Sequence, residues 1–264
     1  MPRVKLSHPS PSIAVITLDR PDRLNAIDFE MVADLHDALD AVGSDRECKV
    51  AILTGAGRGF CAGLDLKDYG TPPEPGSHRH FHSGMDAQTF MSNLTVHMRD
   101  TPQVLIAAVN GAAFGGGLAL ACAADLRIAA PSARFCSAFI RTGLSGTDIG
   151  ITYLLPRLLG SARAFDLILT GRDIDAAEAH RIGLVSEIAE SDVMTLAMTW
   201  AERLCGYTRT GLLSTKNVLW HNLEAPSLGA ALALEISNQN LAQRAPDVLA
   251  HMAQYREQTT GKGR

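Results

Sequence analysis

Three consecutive glycines, Gly115, Gly116 and Gly117, separate an apolar run over residues 104–109 from a helical pattern of Leu118, Leu120 and Cys122. A glycine inside a helix costs roughly 1 kcal/mol relative to alanine, so three in a row mark the approach to a helix rather than its interior. There the backbone takes dihedrals that other residues resist, or a neighbour comes too close for a Cβ. The free N–H groups of a helix start, with the positive end of the helix dipole behind them, favour an anion. Phosphate motifs do not match. A phosphate-binding loop closes on Gly-Lys-Ser/Thr, whereas Gly117 is followed by Leu118 and Ala119, and the Gly-x-Gly-x-x-Gly spacing of dinucleotide sites is absent. Two readings remain: an oxyanion that exists only during a reaction, held by backbone donors, or close packing of a helix on a strand.

A second glycine-rich turn, residues 55–68 (GAGRGFCAGLDLKD), also follows an apolar run, residues 50–53. Within it Gly59-Phe60-Cys61-Ala62-Gly63-Leu64-Asp65-Leu66 resembles the first oxyanion-hole segment of the crotonase superfamily, the enoyl-CoA hydratase/isomerase fold, and residues 110–124 resemble its second. The resemblance implies an α/β chain with a crotonase-like ββα spiral core and a C-terminal helical region. It implies an acyl-CoA thioester as substrate, with the N–H groups of Leu64 and Gly116 binding the thioester oxygen as an enolate develops, and Ala62 and Asp65 beside them. Asp65 also reads, on its own chemistry, as fixing its turn through side-chain to backbone hydrogen bonds. Residues 19–26 (DRPDRLNA) resemble the family's coenzyme A turn, which sets Arg23 against nucleotide phosphate with the backbone of Leu24 to Ala26 alongside. Taken alone, Arg23 is a solvated surface charge. Coenzyme A enters as part of the substrate, and no permanently bound cofactor is expected.

The departure from the family lies in its carboxylates. Enoyl-CoA hydratases of the superfamily use two glutamates, one three residues after the oxyanion glycine and one shortly after the next strand; here those positions are Ala119 and Phe139. Neither moves a proton, and general acid/base catalysis is worth about 10² to 10⁴ in rate. One acid remains nearby. Asp148, in Gly146-Thr147-Asp148-Ile149-Gly150, resembles, with a one-residue gap, the aspartate that dienoyl-CoA isomerases and a chlorobenzoyl-CoA dehalogenase of the superfamily use near this turn. The competing reading is an N-cap for the following helix. In an apolar acyl site its carboxyl should titrate high, since desolvation disfavours the charged form. The favoured function is isomerase-like proton transfer by Asp148. The alternatives are a hydratase of divergent mechanism, nucleophilic dehalogenase or thioesterase chemistry at Asp148, and acyl-CoA binding without turnover. A serine-hydrolase reading fails, because Thr147 stands where a nucleophile elbow around Ser145 needs glycine. Cys61, between Phe60 and Ala62, fits a small buried residue better than a nucleophile.

The elements that position these groups read as alternating strands and helices. Residues 13–18 form the first strand. Asn25 and Asp28 offer N-caps to a helix with Met31, Val32, Leu35, Leu39 and Val42 on one face, ending at Gly43. Between Asp68 and Asp100 a proline-rich loop carries His78, His80 and His82, which would share one face of a strand; with no cysteine or carboxylate cluster in that stretch, no metal is expected. A helix with Met91, Leu94, Thr95 and Met98 follows. Residues 125–129 and 133–137 are short strands, and helices cover 153–159, 161–171, 175–183 and 191–207, then most of the chain from Leu212 onward. Lys216, Arg244 and Arg256 are the C-terminal cations that could reach coenzyme A.

At 264 residues, 46% apolar and 20% charged, the chain can bury a large core. The division expected is residues 1–200 as the acyl-CoA-binding core and 201–264 as a helical region for oligomerisation or covering the active site. A net charge of −4 without a basic stripe argues against nucleic acid. No apolar run approaches the roughly 20 residues that span a bilayer, and residues 1–10 lack a signal-peptide core. Five cysteines without a Cys-x-x-Cys suggest reduced thiols and a cytoplasmic protein. The family resemblance implies a homotrimer or a homohexamer, for which Leu228, Ala231, Leu232, Leu234 and Ile236 supply apolar surface.

Overall fold

Six-residue runs such as VAILTG and VLIAAV, apolar at nearly every position, suit strands that are buried on both faces, as in a parallel sheet covered by helices. The computed structural model, which describes residues 2–82 and 86–260, has this form. The chain begins with β1 (Val4–Ser10), β2 (Ile13–Leu18), α1 (Phe29–Ser44), β3 (Val50–Gly55), α2 (Ala87–Asp100), β4 (Val104–Val109), β5 (Ala112–Phe114) and α3 (Gly116–Ala123). It continues with β6 (Leu126–Ala129), β7 (Arg134–Cys136), α4 (Ile151–Leu159), α5 (Ser161–Thr170), β8 (Asp173–Asp175), α6 (Ala176–Arg181) and β9 (Glu187–Ile188). Helices α7 (Val193–Cys205), α8 (Arg209–Asn222), α9 (Leu228–Ala242) and α10 (Pro246–Thr260) follow.

One sheet has the order β1-β2-β3-β4-β6-β9, parallel except for the β1/β2 hairpin, and a smaller one has the order β5-β7-β8. The register aligns Ile13 with Val50 and Val50 with Val104. Side chains alternate across each strand, so the large sheet feeds two apolar layers. Ile16, Leu53 and Leu105 join the main core with α1, α2 and α3, while Val15, Ile52 and Ile106 pack with Val193, Ala197 and Ala201 of α7.

The structure corrects three expectations. Residues 13–18 are the second strand, because Val4–Ser10 precedes and pairs with them; alternating exposure and the polar Ser7 and His8 disguise this edge strand. Only Asp28 caps α1, accepting from Met31 N at 2.8 Å. Asn25 is instead fully buried, and its side-chain amide donates to the carbonyls of Ala56 and Gly59 at 2.9 and 2.8 Å. Lys216 does not reach toward a ligand. It is buried, 3.0 Å from Asp125 Oδ2, and donates to the carbonyls of Met98 and Gln103.

Beyond α7 the helices turn apolar residues outward. Leu228, Ile236, Leu241 and Tyr255 are each more than half exposed. Among the described residues no helix is long and apolar enough to cross a membrane. The principal buried tie between α8 and the sheet is polar: Asp125 accepts from Leu105 N at 2.7 Å and from Trp220 Nε1 at 2.6 Å besides pairing with Lys216. Burial lowers the Lys216 pKa while Asp125 raises it. Lys216→Met leaves the partly buried Asp125 without its countercharge and is expected to cost about 3 kcal/mol, read as a lower midpoint in urea unfolding.

Candidate active site

The two glycine turns meet edge to edge. Cys61 pairs with Ala113 and Ile27 with Leu64 as isolated parallel bridges. The N–H groups of Phe60 and Cys61 both donate to the Ala112 carbonyl, at 3.1 and 2.9 Å, and Phe114 N–H donates to Cys61 O at 2.9 Å. Only missing side chains allow this approach. A Cβ at Gly117 would lie 2.1 Å from Cys61 O, and one at Gly63, whose φ is +90°, would lie 2.8 Å from Phe114 O and 3.4 Å from Gly116 N. Gly115, at φ +51°, is the N-cap of α3, so Gly116 and Gly117 form its first turn. Among the described residues neither the Leu64 N–H nor the Gly116 N–H has a hydrogen-bond partner. For Gly116 this follows from its place at the helix start.

These turns bound a cavity of about 120 Å³, whose lining includes Ala62, Leu64, Gly116, Phe139, Asp148 and Ile149. Of the site residues expected from sequence, Ala62, Leu64, Gly116 and Asp148 are thus brought together. Of the two positions where hydratases carry glutamate, Phe139 is on the cavity wall, whereas Ala119 is fully buried in α3 and does not line it. A larger cavity of about 640 Å³ lies among α4, α7 and α8, but its buried cations are already engaged, Lys216 with Asp125 and Arg127 with the carbonyls of Leu184 and Ala124.

Asp148 does not cap α4. The N-cap is Gly150, without a side-chain bond, and Asp148 Oδ1 accepts instead from the adjacent Ile149 N at 2.8 Å. Ile149 sits at φ +45°, a strained conformation for a β-branched residue and one that clusters at functional sites. Burial among apolar neighbours raises the Asp148 pKa, against the opposing pull of Ile149 N–H and of the Gln88 amide, which also donates to Oδ1. Gln88, on α2, had no sequence signal. It lies 60 positions from Asp148 in a segment without motif, and only the docking of α2 reveals it.

Arg23, Leu24, Ala26 and Asp65 lie behind the turn rather than on the cavity wall. Leu24 O accepts from Ala62 N at 3.0 Å, and Leu24 and Asn25 both adopt left-handed φ values. Asp65 is buried and gripped by Arg23, at 2.6 and 3.1 Å, and by Arg20 at 3.1 Å. Burial pushes its carboxyl up, but Arg23, the N–H groups of Asp68 and Lys67, and Arg20 hold it down at about 2. The turn-fixing bonds expected of Asp65 are present, from Lys67 N and Asp68 N at 3.2 Å. Cys61 is fully buried, and burial pushes its thiol up to about 12.

Residues 9–262 match the family model described as enoyl-CoA hydratase/isomerase. The chain belongs to the enoyl-CoA hydratase/isomerase family. It is similar to "Probable enoyl-CoA hydratase EchA12" of Mycobacterium tuberculosis (strain H37Rv), 43% identical over 88% of this chain and 82% of that one. It is also similar to the 1,2-epoxyphenylacetyl-CoA isomerase of Escherichia coli (strain K12), 38% identical over 97% and 98% of the two chains. Among solved structures, a monofunctional enoyl-CoA isomerase from M. smegmatis is 40% identical with a TM-score of 0.74, covering 88% of this chain and 99% of that one. An enoyl-CoA hydratase/isomerase family structure from Mycobacterium abscessus is 35% identical with a TM-score of 0.87 over 98% and 97%. The family match, its named enzymes and the shared fold make this chain an enzyme of the hydratase/isomerase class with the α/β architecture expected from its glycine turns.

A carboxyl held above its ordinary value of 3.8 stabilises the fold only while protonated. Its contribution is complete below the unfolded value and is lost as pH rises through the raised folded one. Asp148→Asn keeps the shape and removes the charge. It is therefore expected to raise the melting temperature near about pH 7 and to leave it unchanged near about pH 3. A melt series across pH reads the difference, and equal shifts at both ends contradict the assignment.

Proposed function

We propose that this enzyme moves a proton along an acyl-CoA thioester, as an isomerase does, with Asp148 as its base and the Leu64 and Gly116 N–H groups as its oxyanion hole. The observation that carries the reading is a single carboxylate on the largely apolar wall of the cavity that both glycine turns bound. Asp148 takes the proton from the carbon next to the thioester carbonyl, and the electron pair moves onto the thioester oxygen, where two backbone donors hold it. The resulting carboxylic acid returns the proton further along the conjugated chain, so the double bond shifts and nothing is added. A carboxyl whose affinity for protons is raised by burial is the better base for this near neutral pH. Phe139 in place of a second carboxylate leaves no pair to hold and deprotonate water. Two relatives named as isomerases agree with this reading.

Coenzyme A is bound as part of the substrate, along the turn of Arg23, Leu24 and Ala26 and past Ala62 and Asp65. Arg23 keeps part of its surface in solvent while paired with Asp65, and that outer edge is the one offered to phosphate. Residues 1–200 form the acyl-CoA-binding core, and residues 201–264 provide the surface for assembly. The outward apolar residues of α9 and α10 pack against further copies in a trimer or a dimer of trimers. Five free cysteines, four of them buried, suit a reducing cytoplasm.

Asp148→Asn should retain acyl-CoA binding and lose solvent-deuterium exchange at the carbon next to the carbonyl by about 10² or more. Gly116→Pro, which deletes a donor N–H, should abolish turnover, a donor of this kind being worth about 10² to 10³. Undiminished exchange in Asp148→Asn, or efficient hydration of crotonyl-CoA by the parent, refutes the mechanism. Light scattering at micromolar concentration is expected to give a trimeric or hexameric mass, and a monomeric mass removes the assembly.

A further inference from the structure

Away from the acyl cavity, α1, α2 and the loop before α2 bring together a second set of chemically capable side chains. Asp40 and His36 come from α1, His97 from α2, and Arg79 and His80 from the loop. Ring nitrogens of His36, His80 and His97 lie within 4.8 Å of one another, and the Asp40 carboxylate reaches two of these rings, His80 and His97.

The hydrogen bonds decide which nitrogens carry protons. His36 is fully buried and its Nε2 faces the Phe90 carbonyl at 3.3 Å, so Nε2 is the donor and Nδ1 is bare. His97 Nδ1 stands 2.8 Å from that bare nitrogen and must donate to it. With Nδ1 directed at His36, the Nε2 of His97 is turned toward Asp40 Oδ1, 3.3 Å away. Ligand bonds of about 2.0–2.1 Å around tetrahedral zinc put neighbouring ligand atoms about 3.3 Å apart, the separation seen here. The other carboxylate oxygen, Oδ2, accepts from His80 Nε2 at 2.6 Å. It also pairs with the guanidinium of Arg79, whose side chain is 60% exposed.

We propose that Asp40, His80 and His97 bind a divalent transition-metal ion of the zinc class, with His36 as the residue that positions His97. The ion takes the place of the His80 Nε2 proton, which shifts to Nδ1 of the same ring, and Arg79 swings into water, leaving the fourth position to a water molecule. Imidazole nitrogen with carboxylate oxygen is a donor set that suits zinc. Ligating histidines are ordinarily oriented by a bond from their other ring N–H, as His97 is by His36. The ion fastens the loop to α1 and α2. Because α2 also carries Gln88, it steadies the helix that holds Asp148.

Cobalt(II) titrated into tag-free, chelator-treated protein tests the site without reference to acyl chemistry. One ion per chain, with the visible absorption of tetrahedral cobalt that zinc then displaces, is the expected result. His80→Asn on the loop and Asp40→Asn should each weaken binding by about 10²-fold or more, and His36→Phe by about 10-fold, while His82→Asn leaves it unchanged. Circular dichroism verifies that each variant folds. Absence of the tetrahedral absorption in the parent, or binding undiminished in folded His80→Asn and Asp40→Asn, overturns the proposal.

Discussion

The carbonyl oxygen of Cys61 occupies the space that any side chain at residue 117 would need, with 2.1 Å between the oxygen and the place of a Cβ. This exclusion lets the turn after β3 lie against the start of α3, and Gly63 against Phe114 repeats it on the other side of the contact. From that approach follow the placement of Leu64 and Gly116 on one cavity wall and the enclosure of that cavity. Helix α3 is made almost wholly of small or aliphatic residues, GGLALACA, because it runs through the core with every residue buried. A bulkier first turn would push it away from Cys61 and open the site.

The carboxylate site reflects a balance in which burial wins. Asp148 receives two hydrogen bonds, from Ile149 N and Gln88, each favouring its charged form, yet desolvation outweighs them. Asp65 shows the opposite balance a short way off, where two arginines and two backbone N–H groups overcome the same penalty. The two aspartates differ in their partners: guanidinium groups surround Asp65, and Asp148 has one backbone N–H and a neutral amide. The same carboxyl group is thus held below its ordinary value at one position and above it at the other.

Periodicity and turn chemistry made most of the architecture readable. The apolar runs at 50–55 and 104–109, the glycine turns after them, and the Asp28 cap all signal locally. What escaped has long-range causes. Edge strand β1 alternates with polar residues and gains its identity only from pairing with β2. Asn25 has the composition of a cap, but its amide is spent on carbonyls more than 30 residues away. Lys216 resembles a surface cation until α8 docks on Asp125. Gln88 and the histidine cluster are similar: their partners lie 40 to 61 positions distant, beyond the reach of spacing rules. The close approach of the two glycine turns is the exception, since absence of side chains is itself visible in sequence.

The sheet register also governs when the site can come into being. Ile13 pairs with Val50 and Val50 with Val104, so each parallel contact closes a loop of tens of residues before it gains anything. Leu24, Leu64, Gly116 and Asp148 hang from successive segments of this slowly closing arrangement. No fragment shorter than nearly the whole sheet can hold them in place. A nascent or partly unfolded chain is thus blind to any ligand of this cavity, and a ligand bound there stabilises the entire core rather than one lobe.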